Sequence, residues 1–401
     1  MNKIYKSFVV VFILTVVIAV AGVAWYRVSR QEIVVDNSTD VESKEVVVPP
    51  PTAVAKDEPV EGADPRVLLY SNGRHAGDVR YYGSEPDVIN IRDALTKQTI
   101  ATVKTNITPD IRGASNLYYL VGEKIYFYNQ TDRQIEVLDF SGNLLKLTFT
   151  ESPENRSYHN FIISNDGKKI AWARSTKGKG NNLRTAMWAA NIDGSEQKLL
   201  QEKEVGPEKY FSLFKFSKDN SSIFYSEEAG GRDGYILFSG SSNLYTINLS
   251  DAKVAPIFTE PNKGYVGSMS MDEQYLAIVV AVNDQANQRV EVKDVTSGTL
   301  VETFPFSEGF TTAGNIAFSP DGDWVVYTEA LGNPNKEQFQ IKAGKLGSAN
   351  PDNKTQNLVA SSSSLYRVER WITNNLILLS NDLEPGARYI IRADSTGLVG
   401  L

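Results

Sequence analysis

Four stretches of the chain share one pattern, and their spacing constrains the fold more than any other property. Residues 316–327 read IAFSPDGDWVVY: an apolar-rich run, an Asp321-Gly322 turn and a second β-prone run. Asp-Gly tolerates the positive φ values that a tight turn between twisted strands requires. Residues 162–172 (IISNDGKKIAW), 214–225 (FKFSKDNSSIFY) and 267–279 (GSMSMDEQYLAIV) repeat it. The period is roughly 50 residues, the spacing of propeller blades.

From residue 65 onward the chain divides into seven such units, each expected to hold four antiparallel strands, a to d, from the propeller axis outward. The expected fold class is therefore all-β, a seven-bladed propeller, with six blades as the alternative. Strand candidates in the first unit are residues 79–82, 88–92 and 99–103. A ring of blades removes exposed sheet edges only if it closes. The last candidate strand, residues 398–401, is short, so residues 66–70 (RVLLY) are a second candidate for the outer strand of the last blade.

Ahead of the repeats, residues 8–26 are almost wholly apolar, and as a helix they would span roughly 28 Å, close to the thickness of a bilayer core. Trp25 and Tyr26 sit at its end, and Lys3 and Lys6 before it favour a cytoplasmic N-terminus. The expectation is a signal anchor over residues 1–35 and an extracytoplasmic propeller. The alternative is a secreted protein, because Ala19-Val20-Ala21 resembles a signal-peptide cleavage site. Residues 36–64 carry a net −6, are rich in proline and lack aromatics, so they read as an extended tether that cannot bury a core.

The chain has no cysteine, which excludes disulfides, thiolate metal sites and a cysteine nucleophile, and only two histidines, His75 and His159. Residues 65–401 carry a net −4, without the basic footprint that nucleic-acid binding requires, so no nucleic-acid partner is expected.

The units built on Asp166-Gly167-Lys168-Lys169-Ile170-Ala171-Trp172 with Asn191-Ile192-Asp193-Gly194, and on Phe318-Ser319-Pro320-Asp321-Gly322, resemble the repeats of TolB-type, WD-repeat-like propellers. The resemblance covers blades three to six best. It implies the fold and leaves function open, since similar repeats occur in binding proteins and in the propellers of prolyl-oligopeptidase-like peptidases. The α/β domain that precedes the propeller in TolB-type proteins has only the tether in its place here, and the Gly-x-Ser-x-Gly elbow of the peptidases is absent from the sequence.

In this architecture the b–c and d–a connections open on the face opposite the Asp-Gly turns. Residues 175–184 (STKGKGNNLR) bring Lys177, Lys179 and Arg184 to that face. They lack the lysine-then-hydroxyl ending of a P-loop and are expected as a solvated loop. Residues 227–242 set Tyr235, Ile236, Leu237 and Phe238 inside a polar insertion that also carries Arg232. Exposed, that patch suits a protein partner or the membrane surface; folded back, it is ordinary packing. His159, Lys215 and Glu369 lie in or just before innermost strands and are candidates to line the channel, though no spacing joins them into an acid-base group. No catalytic set, metal cluster or cofactor motif is assigned. The expected function is a membrane-anchored binding or scaffolding module of the cell envelope, with a protein or small-ligand partner on the b–c face. The alternative is a propeller enzyme, a hydrolase or lyase acting on a sugar, lactone or ester through the channel.

Overall fold

The turns that mark the repeats are held by one recurring hydrogen-bond pattern. Ser164 Oγ donates to Asp166 Oδ1 at 2.7 Å and accepts the Lys169 N–H at 2.8 Å. The same pair of bonds recurs at Ser217, Asp219 and Ser222, at Ser270, Asp272 and Tyr275, and at Ser319, Asp321 and Trp324. One turn position requires a left-handed backbone, which glycine adopts without steric cost. Gly167 (φ 69°) and Gly322 (φ 78°) occupy it, and Asn220 (φ 56°) and Glu273 (φ 67°) adopt the same conformation in blades 4 and 5.

The computed structural model describes residues 63–70, 88–104, 118–129, 132–151, 158–180, 182–206, 209–227, 241–259, 264–280, 288–331, 338–348, 355–381, 387–393 and 398–401. All lie in the unit Lys56–Leu401. Among them no helix is long and apolar enough to cross a membrane. Residues 8–26, the tether before residue 63, the candidate strand at 79–82, and Arg232, Tyr235 and Phe238 fall outside the described residues.

Seven antiparallel sheets follow one another in chain order. Blade 1 holds β1 (Arg66–Tyr70), β2 (Val88–Asp93) and β3 (Thr99–Lys104); blade 2 holds β4 (Tyr118–Val121), β5 (Lys124–Asn129), β6 (Gln134–Asp139) and β7 (Leu144–Leu147). Blade 3 holds β8 (Tyr158–Ile163), β9 (Lys169–Lys177), β10 (Leu183–Asn191) and β11 (Lys198–Val205); blade 4 holds β12 (Ser212–Phe216), β13 (Ser222–Ser226), β14 (Leu244–Asn248) and β15 (Val254–Phe258). Blade 5 holds β16 (Tyr265–Met269), β17 (Tyr275–Val280), β18 (Arg289–Asp294) and β19 (Leu300–Pro305); blade 6 holds β20 (Thr312–Phe318), β21 (Trp324–Leu331), β22 (Gln338–Lys345) and β23 (Thr355–Ser362). Blade 7 holds β24 (Tyr366–Trp371), β25 (Leu376–Asn381), β26 (Arg388–Arg392) and β27 (Val399–Gly400).

Alternation along the strands sends apolar side chains to both faces of each sheet, and the core lies between blades. Ile89, Val103, Tyr118 and Phe127 join blades 1 and 2; Tyr126, Val137, Phe161 and Trp172 join blades 2 and 3. Similar clusters join each later pair, among them Met187 with Tyr225 and Phe304 with Tyr327. The ring closes where Val67 and Ala94 of blade 1 pack against Ile372, Leu376, Leu378 and Ile390 of blade 7.

One hydrogen bond, repeated in every blade, sets the strand positions. The residue after the third strand gives its N–H to the residue before the second: Phe140 to Glu123, Ile192 to Lys168, Leu249 to Ser221, Val295 to Gln274, Leu346 to Asp323 and Ala393 to Asn375. In blade 1 the same bond runs from Ala94 to Pro65 at 2.9 Å. β1 is therefore the second strand of blade 1, and the three strands described there are b, c and d. Of the two candidates for the outer strand of the last blade, residues 398–401 supply it as β27 and residues 66–70 do not, and side chains close the ring. Blade number settles at seven.

Candidate binding face

The b–c connections share one face, and among the described residues two blades have the longest strands reaching towards it. In blade 3, β9 and β10 are nine residues each, and in blade 6, β21, β22 and β23 are eight each, against five or six for strands b and c of blades 4, 5 and 7. Three more residues raise a strand by about 10 Å. Residues 175–177 and 183–184 are strand ends, paired from Lys177–Leu183 down through Ser175–Thr185, and the connection between them carries Lys179; Lys177, Lys179 and Arg184 are exposed.

Two acids on β11 hold this blade 3 tip, Glu202 through the Arg184 side chain and Glu204 through the Lys179 main chain. Arg184 Nη2 meets Glu202 Oε2 at 2.6 Å, and Glu204 Oε1 accepts the Lys179 N–H at 2.5 Å. A side chain at Gly178 would meet that same carboxylate oxygen at 2.9 Å, so glycine permits the close turn. Lower down, buried Thr185 bonds Ser175 and accepts the Phe211 N–H, while Lys203 pairs with Glu227 above the Phe211 ring. Tyr225 donates to Gln201 at 2.9 Å, and burial, reinforced by Glu227, pushes its hydroxyl well above the usual phenol range.

Blade 6 carries a buried polar knot against blade 5. The fully buried Glu329 carboxylate accepts the Ser307 N–H at 3.2 Å and Gln340 Nε2 at 2.5 Å. Lys342 Nζ lies 3.8 Å from Glu329 and donates to Ser307 Oγ at 3.2 Å. Ser307 belongs to the d–a connection, so the knot pins a b–c-face loop to its blade. Nearby, Tyr327 is pushed well above its usual range by burial and by Glu329. Blade 2 has a counterpart in Glu136, fully buried, beside Gln134 at 3.2 Å and Lys146 at 3.8 Å.

The candidate channel residues fall in separate environments. Lys215 pairs with Glu273 Oε1 at 3.3 Å and donates to Ser270 O at 3.4 Å, which joins blade 4 to the a–b turn of blade 5. Burial lowers its ammonium pKa, and Glu273 opposes the shift. Glu369 sits at the bulge of β24 and meets Arg388 Nε at 2.9 Å. His159 is in β8, and its side chain is outside the description. Lys215 and Glu369 thus have different partners and do not meet each other. Among the described residues, no group of three or more histidines and acids is placed to hold a metal ion.

Sequence reasoning missed the buried charges, although a signal was present. Glu136, Glu291 and Lys342 each lie three residues before the end of a third strand, flanked by apolar neighbours in IEV, VEV and IKA. A charge recurring at one position of an otherwise apolar strand marks a paired ion, because an unpaired one is too costly to bury.

No family model matches the sequence, and no curated protein matches it. An oligogalacturonate lyase from Vibrio parahaemolyticus superposes at a TM-score of 0.55, with 11% identity over 81% of this chain and 91% of that one. An oligogalacturonate lyase in complex with manganese superposes at 0.52, with 11% identity over 84% and 98%. TolB from Acinetobacter baumannii aligns over 78% and 77% at 13% identity and a TM-score of 0.37, too low to bear on the argument. At such identities the likeness concerns the fold alone. The chain is a seven-bladed β-propeller whose repeats resemble those of TolB-type proteins.

Proposed function

We propose that the protein is a membrane-anchored, extracytoplasmic binding module whose working surface is the b–c face. One observation carries this reading: the chain enters the propeller at Asp64–Pro65, beside the a–b turns, where Ala94 N–H bonds Pro65 O at 2.9 Å. The partner surface is assigned to the opposite face, which carries the long strands of blades 3 and 6. The apolar run at residues 8–26 and the acidic, proline-rich segment after it support an anchor and a spacer. Paired charges at the blade 3 tip offer a pre-organised polar surface.

Site-specific photo-cross-linking of the full chain in its membrane tests this. A photoreactive residue at Lys179 is expected to capture a defined partner, and one at Lys168, on the turn face, to capture none. Equal capture from both faces, or none from Lys179, contradicts the reading. The solved lyases act by name on oligogalacturonate. Turnover of oligogalacturonate by the purified chain, with or without manganese, would favour the enzyme reading instead.

A further inference from the structure

Two kinds of stitch recur between neighbouring blades on the turn face, and in blade 1 both run through one residue. In the first, the cation that opens strand b donates to a carbonyl in the a–b turn of the next blade, at a residue with a left-handed backbone. Lys169 Nζ reaches Asn220 O (φ 56°) at 3.1 Å in this way, and Arg66 Nη1 reaches Gly122 O (φ 59°). In the second, the cation that follows the bulge of strand a donates to a carbonyl beside the turn of the next blade. Lys215 Nζ reaches Ser270 O at 3.4 Å, and Arg370 reaches Arg66 O. Arg66 thus donates to blade 2 and accepts from blade 7, across the seam where the ring closes.

Asp64 holds that residue in place. Its Oδ1 accepts the Arg66 N–H at 2.9 Å and Nε at 2.8 Å, and its Oδ2 accepts Nη2 at 2.6 Å. A carboxylate that grips one edge of a guanidinium fixes its plane, which here aims Nη1 at Gly122 O. Charge adds a second hold. Burial lowers the Arg370 guanidinium pKa and the like charge of Arg66 adds to this, while Asp64 and Glu369 oppose it. Asp64 acts on both arginines, whereas Glu123 acts on Arg66 and Glu369, already paired with Arg388 at 2.9 Å, acts on Arg370. Burial disfavours the Asp64 carboxylate, but the Arg66 hydrogen bonds and both guanidinium charges outweigh it and hold its carboxyl below the usual range. Asp64 directly precedes Pro65, whose carbonyl accepts the Ala94 N–H at 2.9 Å and whose ring leaves little freedom between the two.

We propose that Asp64 and Arg66 form a clasp through which the entering chain controls closure of the ring: when Asp64 is displaced or neutralised, blade 1 parts from blades 7 and 2 while blades 3 to 6 stay folded. The chain joins the propeller at Asp64, so a displacement of the segment before it moves this carboxylate ahead of any strand. With the carboxylate gone, Arg66 loses its orientation towards Gly122, and the two guanidiniums repel across the seam. Opening uncovers Val67 and Ala94, each 1% exposed in the closed ring, and Ile372 and Leu378 opposite them. The clasp works within the chain, independently of any partner on the b–c face.

Amide hydrogen exchange of the full chain in detergent micelles reads the clasp at Ala94, whose N–H bonds Pro65 O; Ile192 and Leu249, which make the same bond in blades 3 and 4, are the internal references. Asp64→Asn is expected to speed exchange at Ala94 about tenfold and to leave Ile192 and Leu249 unchanged. Arg66→Gln should do at least as much, and adding Asp64→Asn to it should change the rate by less than about twofold, because the two residues act as one unit. Glu123→Gln and Glu369→Gln should each change the Ala94 rate by less than about threefold. An Ala94 rate that Asp64→Asn leaves unchanged would overturn the proposal. Equal acceleration at Ala94, Ile192 and Leu249 would also overturn it, because that marks a loss of global stability and not the release of one blade. A Glu123→Gln or Glu369→Gln effect as large as that of Asp64→Asn would remove Asp64 from its place as the shared counter-ion.

Discussion

Removing the Glu329 side chain tests the physics of blade 6. Glu329→Ala deletes the acceptor for the Ser307 N–H and for Gln340 Nε2, and it leaves the Lys342 ammonium, 9% exposed at its side chain, without the carboxylate it pairs with. Each orphaned donor costs about 1–3 kcal/mol, and breaking a buried pair from one side costs about 3–5 kcal/mol. These terms describe overlapping losses, so the expected destabilisation is about 3–5 kcal/mol rather than their sum. Glu329→Gln keeps one acceptor oxygen but removes the charge and turns the other acceptor into a donor, and should cost about 1–3 kcal/mol. The double variant Glu329→Leu with Lys342→Met removes both ions and should recover at least about 1 kcal/mol relative to Glu329→Ala. Urea unfolding followed by tryptophan fluorescence reads all of these as midpoint shifts at constant slope. A Glu329→Ala protein within about 0.5 kcal/mol of the parent would refute the reasoning. So would a double variant no more stable than the single one.

Two other predictions concern packing and acid. A Cβ at Gly344 would sit 2.6 Å from the ring of Phe304, which is fully buried between blades 5 and 6; Gly344→Ala should cost about 1–3 kcal/mol in thermal unfolding, and Phe304→Leu should restore part of it. The Ser217 hydroxyl, helped by Ser221, holds the Asp219 carboxyl down at about 2, and hydrogen bonds lower Asp166, Asp193 and Asp294 as well. A carboxyl with a lowered folded pKa contributes stability that is complete above its unfolded value near 4 and is lost as pH falls through the folded value. Stability should therefore decline from about pH 5 to pH 2. In Ser217→Ala the Asp219 titration, read by carboxyl NMR, should move up towards the ordinary aspartate range.

The repeats were legible because their chemistry is local. Ser319, Asp321 and Gly322 bond within five residues of one another, so the sequence carries the whole turn. Strand ends were less legible where they depend on a neighbour distant in sequence, as at residues 175–184, whose strand ends are held by Glu202 and Glu204 of β11 about 20 positions away. Blade 1 misled for the same reason. RVLLY reads as a strand anywhere, and only the Ala94–Pro65 bond and the contact of Val67 with blade 7 fix it as a second strand. Lys215 was legible as an inner-strand residue, but its partner Glu273 is 58 positions away, and no local rule pairs them.

The position of β1 sets where the described chain joins the propeller and how the ring closes on blade 7, so it is the claim to test most directly. Methyl-labelled NMR of the full chain should show Val67 in contact with Ile372 and Leu378, and Leu68 in contact with Ile89 and Ile91. Contacts of Val67 with Val399 instead would place residues 66–70 in the outer strand of blade 7 and contradict the account.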